Sequence, residues 1–451
     1  MKSMVAKNAR LIEGPIQKTL ILLTIPMIFG GLSMVIFNLT DTFFVGQLGT
    51  VQLAALSFTF PVILFVNSLA HGVAIGASAV ISRAFGKGDH KKVKRLTTDS
   101  LILSLLFVGF VVGVGPFTIE PLFHLLGASS EVMPYIVQYM TIWYLSVIFM
   151  VFPMIANNAI RASGDTKIPG IIVVFAAIIN IILDPILIFG LGPVPRLEIV
   201  GAAIATTIAR AIMSIMSLMI LHYKEDMLAF ELPSSKSVVD NWVQVLYIGL
   251  PAAGTKLVLP IATGVITSMV AIYGSSAVAG FGVATRVEYF AIVVITALGS
   301  VIGPFIGQNW GASRFDRIKS GIKFSFELSL IWGLIVFAIL AFLGGAIGSV
   351  FSSDPDVISV TRLYLLIVPI GYGLYGILVI ATSAMSVLKK PIHASTLSFT
   401  QTFILYIPLA YFGSHLFGLL GIFIALTISY FVSGIIANFM LNRVIIYREN
   451  S

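Results

Sequence analysis

The chain has 451 residues, of which 58% are hydrophobic and 10% charged, with a mean hydropathy of +1.03; in a soluble globular protein about 25% are charged. That balance excludes a soluble domain and indicates an all-α membrane protein, since the apolar stretches are too long and uniform for the alternating strands of a membrane barrel. The absence of cysteine excludes disulfides, thiol catalysis and thiolate metal centres. The net charge of +8 is spread over short loops, a pattern of membrane topology and not of nucleic-acid binding.

Residues 1–18 are polar and basic. The apolar run that follows is longer than a signal-peptide core and lacks a small-residue cleavage site, so it reads as a retained first helix. Stretches of roughly 20 apolar residues, enough to cross a bilayer, fall at 19–45, 53–80, 100–117, 134–158, 169–191 and 200–222. A polar linker, 223–241, separates these from six more at 242–272, 278–306, 324–350, 361–386, 393–412 and 419–442, with a tail at 443–451. Twelve transmembrane helices are expected.

Lys and Arg crowd alternate loops. One side carries Lys2, Lys7, Arg10 and Lys18, then the cluster from Arg83 to Arg95, Arg161 and Lys167, and Lys224 and Lys236. In the second half the same side carries Arg314, Arg317, Lys319 and Lys323, then Lys389 and Lys390, then Arg443 and Arg448. The opposite side has Arg196 and Arg362 beside Glu120, Glu131, Glu198, Asp354 and Asp356. Both termini are therefore expected in the cytoplasm, and the basic loops also suit contact with anionic lipid.

An internal repeat runs at an offset of 225 residues: Leu23-Thr-Ile-Pro26 matches Ile248-Gly-Leu-Pro251, Leu48-Gly49 matches Tyr273-Gly274, and Phe85-Gly86 matches Trp310-Gly311. The halves 19–222 and 242–442 then form two six-helix lobes. An even helix number gives them parallel topology, related by a pseudo-two-fold axis along the membrane normal, and such a pair suits alternating access.

Ionisable groups inside a membrane are costly and mark functional sites by default. Asp41 lies late in helix 1 and Asp184 late in helix 5. The two helices run in the same direction, which places both acids in one half of the membrane and one lobe. Asn180 and Asp184 are four apart and share a helix face. Pro185 has no N–H and leaves the carbonyl of Ile181 without its usual partner. A carboxylate, a carboxamide and a freed carbonyl suit a hard monovalent cation such as Na⁺, or a protonated carboxyl. The alternative is a structural kink with Asp184 bonded to another helix. Asn157 is a further candidate for the pocket. Pro26, followed by Gly30 and Gly31, is a hinge candidate that reads equally as a static kink. In the second half Glu288 pairs on paper with Lys256 or Arg286 as a buried ion pair, either structural or coupling. No Walker loop, HExxH or GxSxG is present, so no enzyme is expected.

Asp41-Thr-Phe-Phe-Val-Gly46-Gln-Leu-Gly49, Arg161-Ala-Ser-Gly164-Asp165-Thr-Lys-Ile-Pro169 and Gly307-Gln-Asn-Trp-Gly311-Ala312 resemble signatures of the multidrug and toxic compound extrusion (MATE) family, in duplicated order and over essentially the whole chain. The resemblance implies twelve helices in two lobes, a monomer in the bacterial inner membrane, no cofactor, and export of small amphipathic organic cations in exchange for H⁺ or Na⁺. It maps a cation site onto Asp41, Asn180 and Asp184, as in the DinF-like branch. It also marks Phe37, Asn38 and Ala202 as lining candidates, and apolar side chains at Met34, Phe37 and Ala202 tilt the choice towards H⁺. Helix 7 offers Lys256 and helix 10 no acid, which departs from the C-lobe cation site of the NorM-like branch. Two rivals are weighed: a lipid-linked precursor flippase of the wider superfamily, which would need a cationic groove, and a passive channel, which would show flux without coupling.

Overall fold

In the computed structural model, residues 10–231 and 234–449 are described; Lys2 and Lys7 of the topological pattern, two linker positions and the last two residues lie outside them. Among the described residues every regular element is helical. We number the spans α1 (Ile16–Gly46), α2 (Thr50–Gly86), α3 (His90–Leu125), α4 (Met133–Ala162), α5 (Lys167–Phe189) and α6 (Glu198–Lys224) in the first half. The second half has α7 (Ser235–Ala271), α8 in two segments (Ser275–Ala291 and Val293–Gly311), α9 (Phe315–Phe351), α10 (Pro355–Val387), α11 in three segments from Pro391 to Phe417, and α12 (Leu419–Glu449). Among the described residues, eleven segments are long and apolar enough to cross a membrane on their own. The remaining expected span, α11, is divided into a nine-residue helix, a π-helical stretch at Thr400–Tyr406 and a final helix from Ile407. Large apolar side chains cover the outside, Phe342 being 89% and Phe117 83% exposed. Such a surface belongs in lipid, because soluble monomers do not display apolar patches on this scale.

The chain forms two compact units. The first holds Ile25–Leu250; the second holds Arg10–Thr24 together with the chain from Pro251 onward. The division differs from the expected 19–222 and 242–442: it falls inside α1 and α7, one residue before Pro26 and immediately before Pro251. Each repeat's first helix thus begins in the unit of the other repeat.

Side chains tie down both crossing segments. In the second unit Gln308 accepts from the Leu11 N–H (3.1 Å) and Asn309 donates to the Leu11 carbonyl (3.0 Å). Arg317 donates to the carbonyls of Leu11, Glu13 and Gly14. In the first unit Lys92, 225 residues before Arg317, donates to Asn241 (2.7 Å). Asn241 in turn donates to Asp99 (2.7 Å), and Trp242 donates its indole N–H to the Asp99 carbonyl (2.9 Å). The expected linker 223–241 is held as well, by Lys94 to Asp226 (2.7 Å) and by the Ala229 N–H to Thr98 (2.9 Å). Asp99 is the buried hub of this network, with Arg95 one turn before it as its ion-pair partner.

Three second-unit spans break their helical geometry for identifiable reasons. The α8 break at Ile292 falls in the β-branched run Ile292-Val-Val, which crowds the preceding turn, and Trp332 takes up the freed Ala291 carbonyl (2.9 Å). A 3₁₀ turn at Val368–Gly371 contains Pro369. The π stretch of α11 precedes Pro408, which has no N–H for the usual ladder.

Candidate functional site

Two close helix contacts in the first unit set up the site. A side chain at Gly170 would bring its Cβ within 2.7 Å of the Pro26 carbonyl, so α1 and α5 touch backbone to backbone there. At Gly201 a Cβ would fall 2.5 Å from the Leu187 carbonyl, so α5 and α6 do the same. Glycine at these points lets three helices approach more closely than any other residue allows.

Between them the side chains stack in layers. Phe37, Ala177 and Ala209 pack as one apolar layer, and Val45, Ile188 and Ala202 as another. One helical turn after Phe37 and one before Val45 comes Asp41; one turn before Ile188 comes Asp184. The polar layer is thus enclosed by apolar ones. Asn180 donates to Asp184 (3.0 Å) and, from the same nitrogen, to Thr206 of α6 (3.4 Å). Asn180 and Asp184 are fully buried. Asp41 Oδ1, Asn180 Oδ1 and Asp184 Oδ2 are all buried without a hydrogen-bond partner among the described residues. Buried oxygens without a hydrogen-bond partner are costly.

Two groups that sequence reasoning left without a role act electrostatically on these acids. The Arg210 charge acts on Asp41, Tyr139 of α4 lies within electrostatic range of Asp41, Asp184 and Arg210, and Asp184 feels Asp41. Arg210 stands one turn from Thr206 on α6, with Nη1 buried and unpartnered. The signal for it was present, a cation inside an apolar span; nothing marked Tyr139 among the other aromatics.

The other candidates separate. Phe37 and Ala202 lie in the apolar layers that enclose the site, and Asn38 is exposed. Asn157 is buried elsewhere, accepting from Ser217 (3.1 Å), roughly 16 Å along α6 from Thr206. Pro26 and Pro185 sit in continuous helices. The three-residue ion pair does not form. Glu288 accepts from Tyr364 (2.5 Å) and Tyr430 (3.5 Å), and no salt bridge within 4 Å joins it to Lys256 or Arg286 among the described residues. Arg286 is exposed, while Lys256 and Glu288 both line a cavity of about 300 Å³ in the second unit. Tyrosine hydroxyls satisfy the carboxylate in place of a cation. The motifs that carry the family resemblance are largely architectural: Asp165 accepts from the Ile168 N–H at the start of α5 (3.1 Å) and pairs with Lys224 (3.3 Å), while Gln308 and Asn309 hold Leu11.

The MatE family model matches residues 26–186 and again 251–412, each match opening on one of the paired prolines. A FAD transporter of Shewanella oneidensis is 38% identical over 96% of both chains. Multidrug export protein MepA of Staphylococcus haemolyticus is 28% identical over 95% of this chain and 94% of its own. Among solved structures, the bent form of the Vibrio cholerae MATE transporter VcmN superposes with a TM-score of 0.90 at 29% identity, covering 96% of this chain and 98% of that one.

Proposed function

This chain belongs to the MatE family of membrane transporters, and on that premise we propose that it is a secondary-active exporter driven by inward H⁺ or Na⁺ through Asp41, Asn180 and Asp184. The three buried, unpartnered oxygens of one polar layer carry this reading. A bound cation would satisfy all three, and a proton would neutralise a carboxylate that water does not reach. Coupling requires the ion and the substrate to compete or to favour opposite-facing states. Arg210 adds a device for this: an ionised Asp41 holds its charge, and a neutralised Asp41 releases it.

Two substrate classes are put forward. Small amphipathic organic cations follow from the pair of acids and have the support of the relatives named for multidrug export. A flavin dinucleotide follows from the relative named for FAD transport at 38% identity. Purified protein in proteoliposomes distinguishes them. An imposed H⁺ or Na⁺ gradient should accelerate opposite movement of ethidium, of FAD, or of both, and equal rates with and without either gradient would overturn the antiport reading.

From the loop charges we propose that both termini are cytoplasmic; the inner membrane and a monomeric state follow from the family resemblance. In intact cells, Lys91→Cys and Lys323→Cys should resist an impermeant thiol reagent; labelling of either from outside contradicts the orientation.

A further inference from the structure

We propose that the cavity of the second unit is the seat for a flat, uncharged aromatic ring with an imide edge, an N–H flanked by two carbonyls, as in the tricyclic ring of a flavin. The inference rests on the flavin reading above and assigns the ring to a particular place.

Size comes first. At about 300 Å³ the cavity is at the small end of ligand sites. A volume of that order suits a single ring system. Its walls are aromatic: Tyr289, Tyr364, Tyr375, Tyr406 and Tyr430 all line it, and the Tyr375 and Tyr430 rings lie 4.8 Å apart. Such faces stack on flat rings.

Charge then selects among flat rings. Lys256 on α7 and Glu288 on α8 both line the cavity, and among the described residues no ion pair joins them, so it holds one basic and one acidic group at separate points. An aromatic cation placed there would meet the Lys256 ammonium as well as the carboxylate, and in a poorly solvated cavity the repulsion offsets the attraction. A neutral ring that presents both acceptors and a donor satisfies both groups: carbonyls accept from Lys256, and the imide N–H donates to Glu288. The carboxylate is already aimed, because Tyr364 and Tyr430 hold its two oxygens.

Helix irregularity borders the same space. Ile292 at the α8 break, and Gln401, Thr402 and Tyr406 of the π stretch, are all lining residues. π-helical turns recur at functional sites, where they re-aim side chains at a ligand.

Riboflavin, which carries the ring without phosphates, is the probe. Its fluorescence should be quenched by the purified wild-type protein in detergent. Lys256→Met and Glu288→Gln should each weaken its binding about tenfold or more, as for loss of a hydrogen bond to a charged group. Lys256→Arg should retain it, and Lys256→Met should bind ethidium no worse than wild type. Should Glu288→Gln fail to fold, judged by gel filtration, the two Lys256 variants decide. If riboflavin binds all variants equally while FAD transport persists, the cavity assignment is wrong and the flavin reading stands. If wild-type protein neither binds riboflavin nor transports FAD, the flavin reading itself fails, and the assignment with it.

Discussion

Asp41→Asn, made alone, should reach the membrane in normal amount and lose gradient-driven export by about 5- to 150-fold, the range of a coupling energy of about 1–3 kcal/mol. The carboxamide keeps the size and polarity of the side chain and removes its charge, so the packing between the Phe37 and Val45 layers should hold. Asp184→Asn should do the same. It also leaves Asn180 facing a second amide in place of the carboxylate it now contacts at 3.0 Å. On the proposal that the two acids serve one ion with Asn180, the double variant should be little worse than either single one, a departure from additivity typical of residues that act as a unit. Efflux from cells, normalised to membrane protein, measures this. Losses that multiply in the double variant would mean two separate sites.

Asp99→Ala should have the largest effect on stability. Asp99 is 1% exposed and receives Arg95 and Asn241, while its backbone carbonyl receives Trp242. Removing the carboxylate leaves a guanidinium in a largely buried place with no counter-charge, a change that costs about 3–5 kcal/mol. It also frees the start of α7 from α3. Asp99→Asn, which keeps an acceptor, should cost less. Thermal unfolding in detergent is the readout, and an unchanged midpoint for Asp99→Ala would show that the network is ornamental to the fold.

The acids were legible in the sequence because a charge in a hydrocarbon span stands out whatever it packs against, and because the spacing of Asn180 and Asp184 fixes their common face. Chain direction alone brought Asp41 to the same end of the same unit. What remained hidden depended on contacts between helices. Asn157 looked equivalent to Asn180 in composition, yet it faces Ser217, well along α6. Arg210 was visible as a charge, but only the packing of the helices brings it within electrostatic range of Asp41. Glu288 was expected to need a cation, whereas two tyrosines from distant spans supply the hydrogen bonds. The crossing of α1 and α7 between units escaped notice because hydropathy marks where a helix lies in the membrane and says nothing of its neighbours. The paired prolines, already aligned at an offset of 225, were its one trace.

The central claim is that Asp41, Asn180 and Asp184 form the coupling site. Proteoliposomes holding either wild-type protein or the Asp41→Asn, Asp184→Asn double variant, loaded with substrate and placed in turn under an imposed pH gradient and an imposed Na⁺ gradient, test it most directly. For wild type, one of the two gradients should accelerate substrate movement and be dissipated by it. For the double variant, neither gradient should change the rate. Gradient-accelerated transport at the wild-type rate in the double variant would contradict the assignment.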